Sequence, residues 1–108
     1  MHEPMLRPGA LKGLTITVTG GGTGLGRSMA EMFLRLGANV CITSRKADVL
    51  EASAKALAEA TGGEVLPMAC DVRNHMDVDR LVEAVYARFG RCDALVNNAA
   101  GNFISPTE

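Results

Sequence analysis

The sequence is poor in several features that identify common functional classes. It has no tryptophan, one tyrosine and only 4% aromatic residues, and its formal net charge is -1. Without an excess of positive charge, the chain has no electrostatic attraction for nucleic acid or for an anionic membrane surface. No apolar run reaches the ~18 residues that a bilayer requires, and residues 1–13 lack the apolar centre of a secretory signal. We therefore expect no nucleic-acid or membrane partner, and a cytoplasmic location.

Cysteine and histidine are also scarce, which argues against a disulfide framework and a metal site. The three cysteines, Cys41, Cys70 and Cys92, are odd in number and are not spaced as zinc ligands or as a redox CxxC pair. His75 has acidic neighbours, but aspartates at a helix start are the simpler explanation of that cluster. We predict reduced, packed cysteines, a reducing compartment and no bound metal.

Apolar β-branched runs alternate with stretches of helical periodicity, which is typical of repeated β-α-β units. The predicted fold class is α/β: a partial Rossmann-like doubly wound parallel sheet, β-α-β-α-β-α-β, with strand order 3-2-1-4. We divide the chain into a lead-in, 1–13, and a dinucleotide-binding half-domain, 14–108. The predicted strands are 15–19, 39–43, 64–69 and 94–98, and the predicted helices are 24–36, 47–61 and 76–89. A glycine follows each helix as a stop signal: Gly37, Gly62 and Gly90.

The most informative segment is Leu14–Gly26, in which a β-branched strand runs into a glycine-rich turn and then a helix. Glycine lacks a Cβ atom, so such a turn takes positive φ values and approaches phosphate oxygens closely, while the helix N-terminus presents free amides to the anion. We predict that this turn binds the pyrophosphate of a nicotinamide dinucleotide. The predicted binding residues are Gly20, Gly21, Gly22, Thr23, Gly24, Leu25 and Gly26. A flexible turn without a ligand is the alternative.

Two of the predicted helices carry apolar residues at helical spacing, and we expect both stripes to face the sheet. The stripe of the first helix is Leu25, Met29, Met32, Phe33 and Leu36. The stripe of the third helix is Val78, Leu81, Val82, Val85 and Phe89. Asn74 precedes Asp77 by three residues, a spacing that predicts a start resembling a capping box for the third helix.

The end of the second predicted strand indicates which nicotinamide coenzyme binds. A site that prefers NAD places an acidic residue about 20 positions after the glycine turn, where it accepts hydrogen bonds from the ribose hydroxyls. No acidic residue occurs between Glu31 and Asp48, and the strand ends instead in Ser44, Arg45 and Lys46. A guanidinium pairs well with a 2′-phosphate and a hydroxyl can donate to it, so we predict NADP(H). A solvated basic pair before a helix is the alternative.

Together these motifs resemble the short-chain dehydrogenase/reductase family. The resemblance rests on Thr19–Gly26 (TGGGTGLG), Asp71 in the CDV segment and Asn97–Gly101 (NNAAG), and it covers the chain from about Leu11 to its end. Within the family the chain is most similar to the 2,4-dienoyl-CoA reductases, because of SRK, CDVR and the final NNAAGNFISPTE. This resemblance implies NADPH-dependent reduction of a dienoyl-CoA in unsaturated fatty acyl-CoA degradation, with an acyl-CoA partner and a homo-oligomeric complete protein.

The resemblance also implies roles for individual residues. Coenzyme contacts are implied for residues after the third predicted strand and at or after the end of the fourth: Asp71, Val72, Asn98, Ala99, Ala100 and Gly101. Arg73 and Phe103 are implied to contact the acyl-CoA. Asn102, the one residue assigned to catalysis, is implied to hold the thioester oxygen as negative charge develops. From the residues alone, Asp71 and Asn102 also fit turn positions, and Arg73 and Phe103 also fit ordinary loop positions.

The resemblance further implies a catalytic tyrosine with a lysine four positions later. Tyr86 is the sole tyrosine and Gly90 stands where that lysine would be, so we interpret Tyr86 as a helix residue. We expect a truncated or partial reductase that is inert alone and leaves an apolar strand edge at Leu95 and Val96 open for association. Two alternatives remain: a fragment of another NADPH-dependent carbonyl reductase, acting on 3-oxoacyl or sugar and alcohol substrates, and a non-enzymatic dinucleotide-binding module.

Overall fold

The computed structural model describes residues 9–22, 24–98 and, for the backbone alone, 103–106. In these ranges the strands are β1 (Thr15–Thr19), β2 (Asn39–Ser44), β3 (Val65–Ala69), β4 (Ala94–Asn97) and β5 (Phe103–Pro106). The helices are α1 (Gly24–Arg35), α2 (Ala47–Thr61) and α3 (His75–Phe89). The ends of the first seven elements agree with the prediction to within one residue, whereas the sequence pattern does not predict β5.

The described strands form one sheet in the order β3-β2-β1-β4-β5. β1 pairs in parallel with β2 and with β4, and β2 pairs in parallel with β3. The parallel 3-2-1-4 order and the α/β fold class are therefore confirmed. β5 runs antiparallel to β4, with Leu95 opposite Ser105 and Val96 opposite Ile104. The expectation of an open edge at Leu95 and Val96 is wrong, because the backbone of β5 occupies that edge.

Apolar layers cover both faces of the sheet, which explains why all five residues of β1 and four of the six residues of β2 are buried. The layer toward α1 and α2 includes Val18, Val40, Ile42, Leu50 and Leu57. The layer toward α3 consists of Cys41, Cys70, Leu81 and Val85. The predicted packing role of the cysteines is confirmed for Cys41 and Cys70, which are buried and free, and Cys92 is half-buried and free.

Helix α1 approaches the sheet through small residues in its first two turns, and part of its predicted apolar stripe is therefore exposed. Its buried positions are Gly26, Ala30 and Leu34. Met29 and Phe33 pack against the core as predicted, but Leu25 and Met32 are 56% and 46% exposed. A helix that lies close to a strand needs small side chains at the contact, so larger apolar residues are displaced to its flanks. Val82 of α3 departs from its stripe in the same way and is 44% exposed.

Candidate functional site

A crevice lies at the carboxyl ends of β1, β2 and β3, where open parallel sheets bind their ligands. Its larger lobe has a volume of about 500 Å³ and is lined by Gly20, Gly22, Ser44, Arg45, Lys46 and Val49. A second lobe of about 440 Å³ is lined by Thr19, Gly20, Thr43, Ser44, Arg45, Cys70, Asp71, Val72 and Arg73. Because Gly20, Ser44 and Arg45 line both lobes, the crevice joins the glycine-rich turn to the ends of β2 and β3.

The glycines of the turn between β1 and α1 are required for different reasons. Gly20 and Gly24 have φ values of 68° and 59°, which L side chains rarely adopt. A Cβ atom on Gly26 would stand 2.0 Å from the carbonyl oxygen of Gly20, so only glycine allows α1 to begin this close to β1. A Cβ atom on Gly21 would stand 2.7 Å from the side chain of Ile42. The glycine pattern thus sets the close packing of the turn as well as its conformation.

Backbone hydrogen bonds restrict which amides of this turn can meet an anion. The amides of Gly20 and Gly21 both donate to the carbonyl oxygen of Thr43, at 2.7 and 3.3 Å, and so tie the turn to β2. The first turn of a helix leaves its N–H groups without intrahelical partners. The amides at the start of α1, from Gly24 to Gly26, are therefore suited to an anion such as a pyrophosphate.

Side chains from three elements hold the turn in place. Asn98 donates from Nδ2 to the Gly20 carbonyl oxygen at 3.4 Å, and Thr19 donates from Oγ1 to Oδ1 of the neighbouring Asn97 at 3.0 Å. The side-chain amides at the end of β4 therefore tie that strand to β1 and to the glycine-rich turn. Ser53 of α2 is buried and donates to the Gly22 carbonyl oxygen at 2.5 Å. Sequence reasoning missed Ser53, although a polar residue on the apolar face of a predicted helix is the signal that could have found it.

The basic end of β2 is arranged to offer donors to the crevice. The Oγ atom of Ser44 accepts from the Lys46 amide at 3.1 Å, which leaves the Ser44 hydroxyl hydrogen free to donate. Arg45 and Lys46 are exposed at the rim. Within the described part of the chain, neither of these cations forms a salt bridge with a carboxylate. Their charge is available to an anionic ligand.

Asp71 and Arg73 form an ion pair in the lobe that Arg45 also lines. Oδ1 of Asp71 accepts from the Arg73 amide and from Arg73 Nε, both at 3.0 Å, and Oδ2 accepts from Nη2 at 3.1 Å. These bonds from the Arg73 side chain and amide lower the pKa of Asp71 to about 2, with a smaller contribution from the charge of Arg45. Asp71 therefore stays ionised at neutral pH, and it lies within the electrostatic reach of both arginines.

The start of α3 fixes the position of this pair. Asn74 caps the helix, since its Oδ1 accepts from the amides of Met76 and Asp77 at 2.9 and 3.1 Å. The predicted cap is confirmed, but the return bond differs from a capping box. Oδ2 of Asp77 accepts from the Asp71 amide at 3.1 Å, whereas the Asn74 amide donates to the Asp71 carbonyl oxygen at 2.9 Å. Residues 71–77 therefore form a braced turn.

Several predicted site residues lie outside the described residues. They are Thr23, Ala99, Ala100, Gly101 and Asn102; for Phe103 only the backbone is described.

Val72 lines the crevice and is 37% exposed. Tyr86 is 47% exposed on α3, away from the lining of the crevice. Sequence reasoning also missed Thr43, because it acts through a carbonyl oxygen that any residue type provides.

In the ranges given above, no group of His, Cys, Asp and Glu side chains is placed to hold a metal ion. The helices of those ranges include none that is both long and apolar enough to cross a bilayer.

A glycine-lined crevice at the carboxyl edge of a parallel 3-2-1-4 sheet defines the dinucleotide-binding class of α/β proteins. Comparison with known families is consistent with that class: the model of the short chain dehydrogenases matches residues 14–108. The chain therefore belongs to the short-chain dehydrogenase family, whose members bind nicotinamide dinucleotides.

Relatives of known sequence include dienoyl-CoA reductases. A probable 2,4-dienoyl-CoA reductase of Caenorhabditis elegans is 44% identical over 108 residues, which is 99% of this chain and 35% of that protein. The peroxisomal 2,4-dienoyl-CoA reductase of Danio rerio is 40% identical over 92% of this chain and 33% of that protein. The chain thus spans about a third of the length of these curated relatives.

Solved structures of the family share the fold. A citronellol catabolism dehydrogenase from Pseudomonas aeruginosa superposes with a TM-score of 0.81 at 43% identity, covering 89% of this chain and 40% of that one. The L-sorbose reductase of Gluconobacter frateurii, solved with NADPH and L-sorbose, gives a TM-score of 0.78 at 39% identity, covering 82% of this chain and 34% of that one.

Proposed function

We propose that this chain is the NADPH-binding part of a 2,4-dienoyl-CoA reductase that acts in the degradation of unsaturated fatty acyl-CoA. The observation that carries the coenzyme assignment is the rim at the end of β2, where Ser44, Arg45 and Lys46 stand in place of an acidic residue. An acidic side chain at this place would favour the ribose hydroxyls of NAD and repel a 2′-phosphate.

The described residues fit NADPH at both of its anionic groups. The amides at the start of α1, from Gly24 to Gly26, suit the pyrophosphate because the helix dipole adds partial positive charge there. Arg45, with a free guanidinium, and the Ser44 hydroxyl suit the 2′-phosphate. Because there is no room for a Cβ atom on Gly26, the coenzyme meets backbone atoms at this point of the turn in our proposal.

The substrate assignment is supported by the relatives that are named 2,4-dienoyl-CoA reductases. When bound, NADPH supplies the hydride. In this proposal the Asn102 amide donates a hydrogen bond to the thioester oxygen and stabilises the negative charge that develops there. Phe103 contributes an apolar wall for the acyl chain. We also propose that the 108 residues are inactive without the tyrosine and lysine of the family, because Tyr86 has no lysine four positions later.

Substitution of Arg45 tests the coenzyme assignment. A hydrogen bond to a charged group is worth ~1.5–3 kcal/mol, and because Arg45 is exposed we take the lower end. Arg45→Ala should therefore weaken NADPH about tenfold and leave NADH nearly unchanged. Dissociation constants for both coenzymes, measured by fluorescence titration of the full chain, give the comparison. Arg35→Ala is the matched control, since Arg35 is an exposed arginine at the far end of α1. Equal losses for both coenzymes would reject NADPH specificity.

The substrate assignment needs a separate assay. A polypeptide that carries this chain together with the tyrosine and lysine of the family should oxidise NADPH in the presence of a 2,4-dienoyl-CoA. Ketone and sugar substrates should give much lower turnover, and the 108-residue chain alone should give none. Turnover of a sugar or a 3-oxoacyl substrate, with none of dienoyl-CoA, would favour another carbonyl reductase.

A further inference from the structure

The ion pair of Asp71 and Arg73 bears on coenzyme choice. Asp71 lines the same lobe of the crevice as Arg45, so its carboxylate shares that lobe with the group to which the proposed function assigns the 2′-phosphate. A bare carboxylate in this position would repel the phosphate, as an acidic residue at the end of β2 would. In the structure, this carboxylate is paired with the guanidinium of Arg73.

Arg73 occupies most of the acceptor capacity of Asp71. An ionised carboxylate has about four lone-pair positions. Three are filled by one residue, because Oδ1 takes the Arg73 amide and Nε while Oδ2 takes Nη2. One position on Oδ2 remains, which is enough for a single N–H donor such as the amine of an adenine. The pair as a whole carries no net charge.

The geometry also explains why the pair stays together at an exposed place. The Arg73 side chain is 73% exposed, and ion pairs this exposed contribute little to stability. The local chain nevertheless fixes the Asp71 backbone, because Asp77 accepts from the Asp71 amide and the Asn74 amide donates to the Asp71 carbonyl oxygen. The braced turn 71–77 therefore keeps a neutralised carboxylate at the crevice without a large gain in folding free energy.

We propose that Arg73 determines coenzyme specificity by neutralising Asp71, so that the Asp71 carboxylate can line the crevice without repelling the 2′-phosphate of NADPH. This inference rests on the proposed function. It gives Arg73 a role on the coenzyme side of the site, whereas the family resemblance implies a contact with the acyl-CoA. Arg73 acts on the coenzyme indirectly, by neutralising the charge of Asp71, and is therefore a positioning residue.

Substitutions at both positions test the proposal in the full chain. Arg73→Ala leaves an uncompensated charge, and at low ionic strength it should weaken NADPH about three- to tenfold while changing NADH by less than about twofold. Adding Asp71→Asn to Arg73→Ala should recover NADPH binding to within about twofold of the unsubstituted chain. The loss in Arg73→Ala should also shrink at about 0.5 M salt, where the Debye length falls below ~5 Å. A merely structural role for Arg73 gives neither the recovery nor the salt dependence.

Arg35→Ala is the control, because Arg35 also places Nε and Nη2 on a carboxylate, that of Glu31, at 3.0 and 2.8 Å. Circular dichroism checks that each variant is folded. Equal losses of both coenzymes in Arg73→Ala, or no recovery in the double variant, would overturn the proposal. Unchanged NADPH binding in Arg73→Ala would also overturn it. If the Arg73 proposal fails but Arg45→Ala still weakens NADPH selectively, the proposed function stands. If the unsubstituted chain binds neither coenzyme, both the proposed function and the Arg73 proposal are wrong.

Discussion

Substitution of Gly26 by alanine probes the contact on which the geometry of the crevice depends. The added Cβ atom would stand 2.0 Å from the carbonyl oxygen of Gly20, about 1 Å closer than side-chain Cβ atoms are found to their neighbours. The obstacle is backbone, so relief requires α1 to move away from β1. That movement opens the packing of Ala30 and Leu34 against the sheet.

The magnitude follows from two opposing effects. Overpacking costs typically 1–3 kcal/mol, and we take the upper end, ~3 kcal/mol, because a rigid carbonyl group must shift. Alanine gains roughly 1 kcal/mol over glycine in a helix. The net loss of unfolding free energy is therefore ~2 kcal/mol, which lowers the melting temperature of a domain of this size by about 8 to 16 °C.

Thermal and urea unfolding of the full chain measure this loss. Gly22→Ala, in the same turn, is the matched control for the unfolding measurements, because its Cβ atom would meet Val49 at 3.4 Å, an ordinary contact. Gly26→Ala should also lose coenzyme affinity, since α1 supplies the amides for the pyrophosphate. If Gly26→Ala were as stable as the unsubstituted chain and bound coenzyme equally well, the close-contact argument would be refuted.

Three further predictions concern the capping residue, acid stability and a buried thiol. Asn74→Ala removes the acceptor for the amides of Met76 and Asp77, so it should lower the free energy of unfolding, measured in urea, by ~1 kcal/mol. A loss below ~0.3 kcal/mol would contradict the role of Asn74 as the helix cap. The pKa of Asp71 is lowered from 3.8 to about 2 in the folded chain, so its stabilising effect, which is small because the ion pair is exposed, is present above pH 3.8 and is lost as pH falls toward 2. Melting temperatures between these pH values should fall less steeply for Asp71→Asn than for the unsubstituted chain, and identical slopes would argue against the effect. Burial raises the pKa of the Cys41 thiol to about 12, so iodoacetamide at pH 8 should not modify this thiol in the folded chain. Mass spectrometry measures the modification, and a rate as fast as that in urea would disprove the prediction.

The sequence was sufficient to predict the layered α/β fold because its signals there are local. The run Thr15–Thr19 is bounded by turn residues, and α2 ends where Gly62 takes a left-handed conformation, with φ at 74°. Glycine after each helix and β-branched runs between helices specify where the elements end. Right-handed crossovers then fix the 3-2-1-4 order.

Other features depend on contacts between distant residues, and periodicity does not specify them. The exposure of Leu25 and Met32 follows from the close approach of α1 at Gly26, which the apolar spacing does not reveal. β5 is only four residues long and contains Pro106, so its sequence carries little strand signal. The hydrogen bond from the Gly20 amide to the Thr43 carbonyl oxygen involves only backbone atoms, so no side chain in the sequence indicates it.

The central claim is that amides at the start of α1 bind the pyrophosphate of NADPH. Isothermal titration of the folded full chain with NADPH tests it most directly. The account predicts saturable binding to one site, tighter for NADPH than for NADH, and weakened by Gly26→Ala. A chain that is folded by circular dichroism and shows no heat of binding and no change in melting temperature with either coenzyme would contradict it.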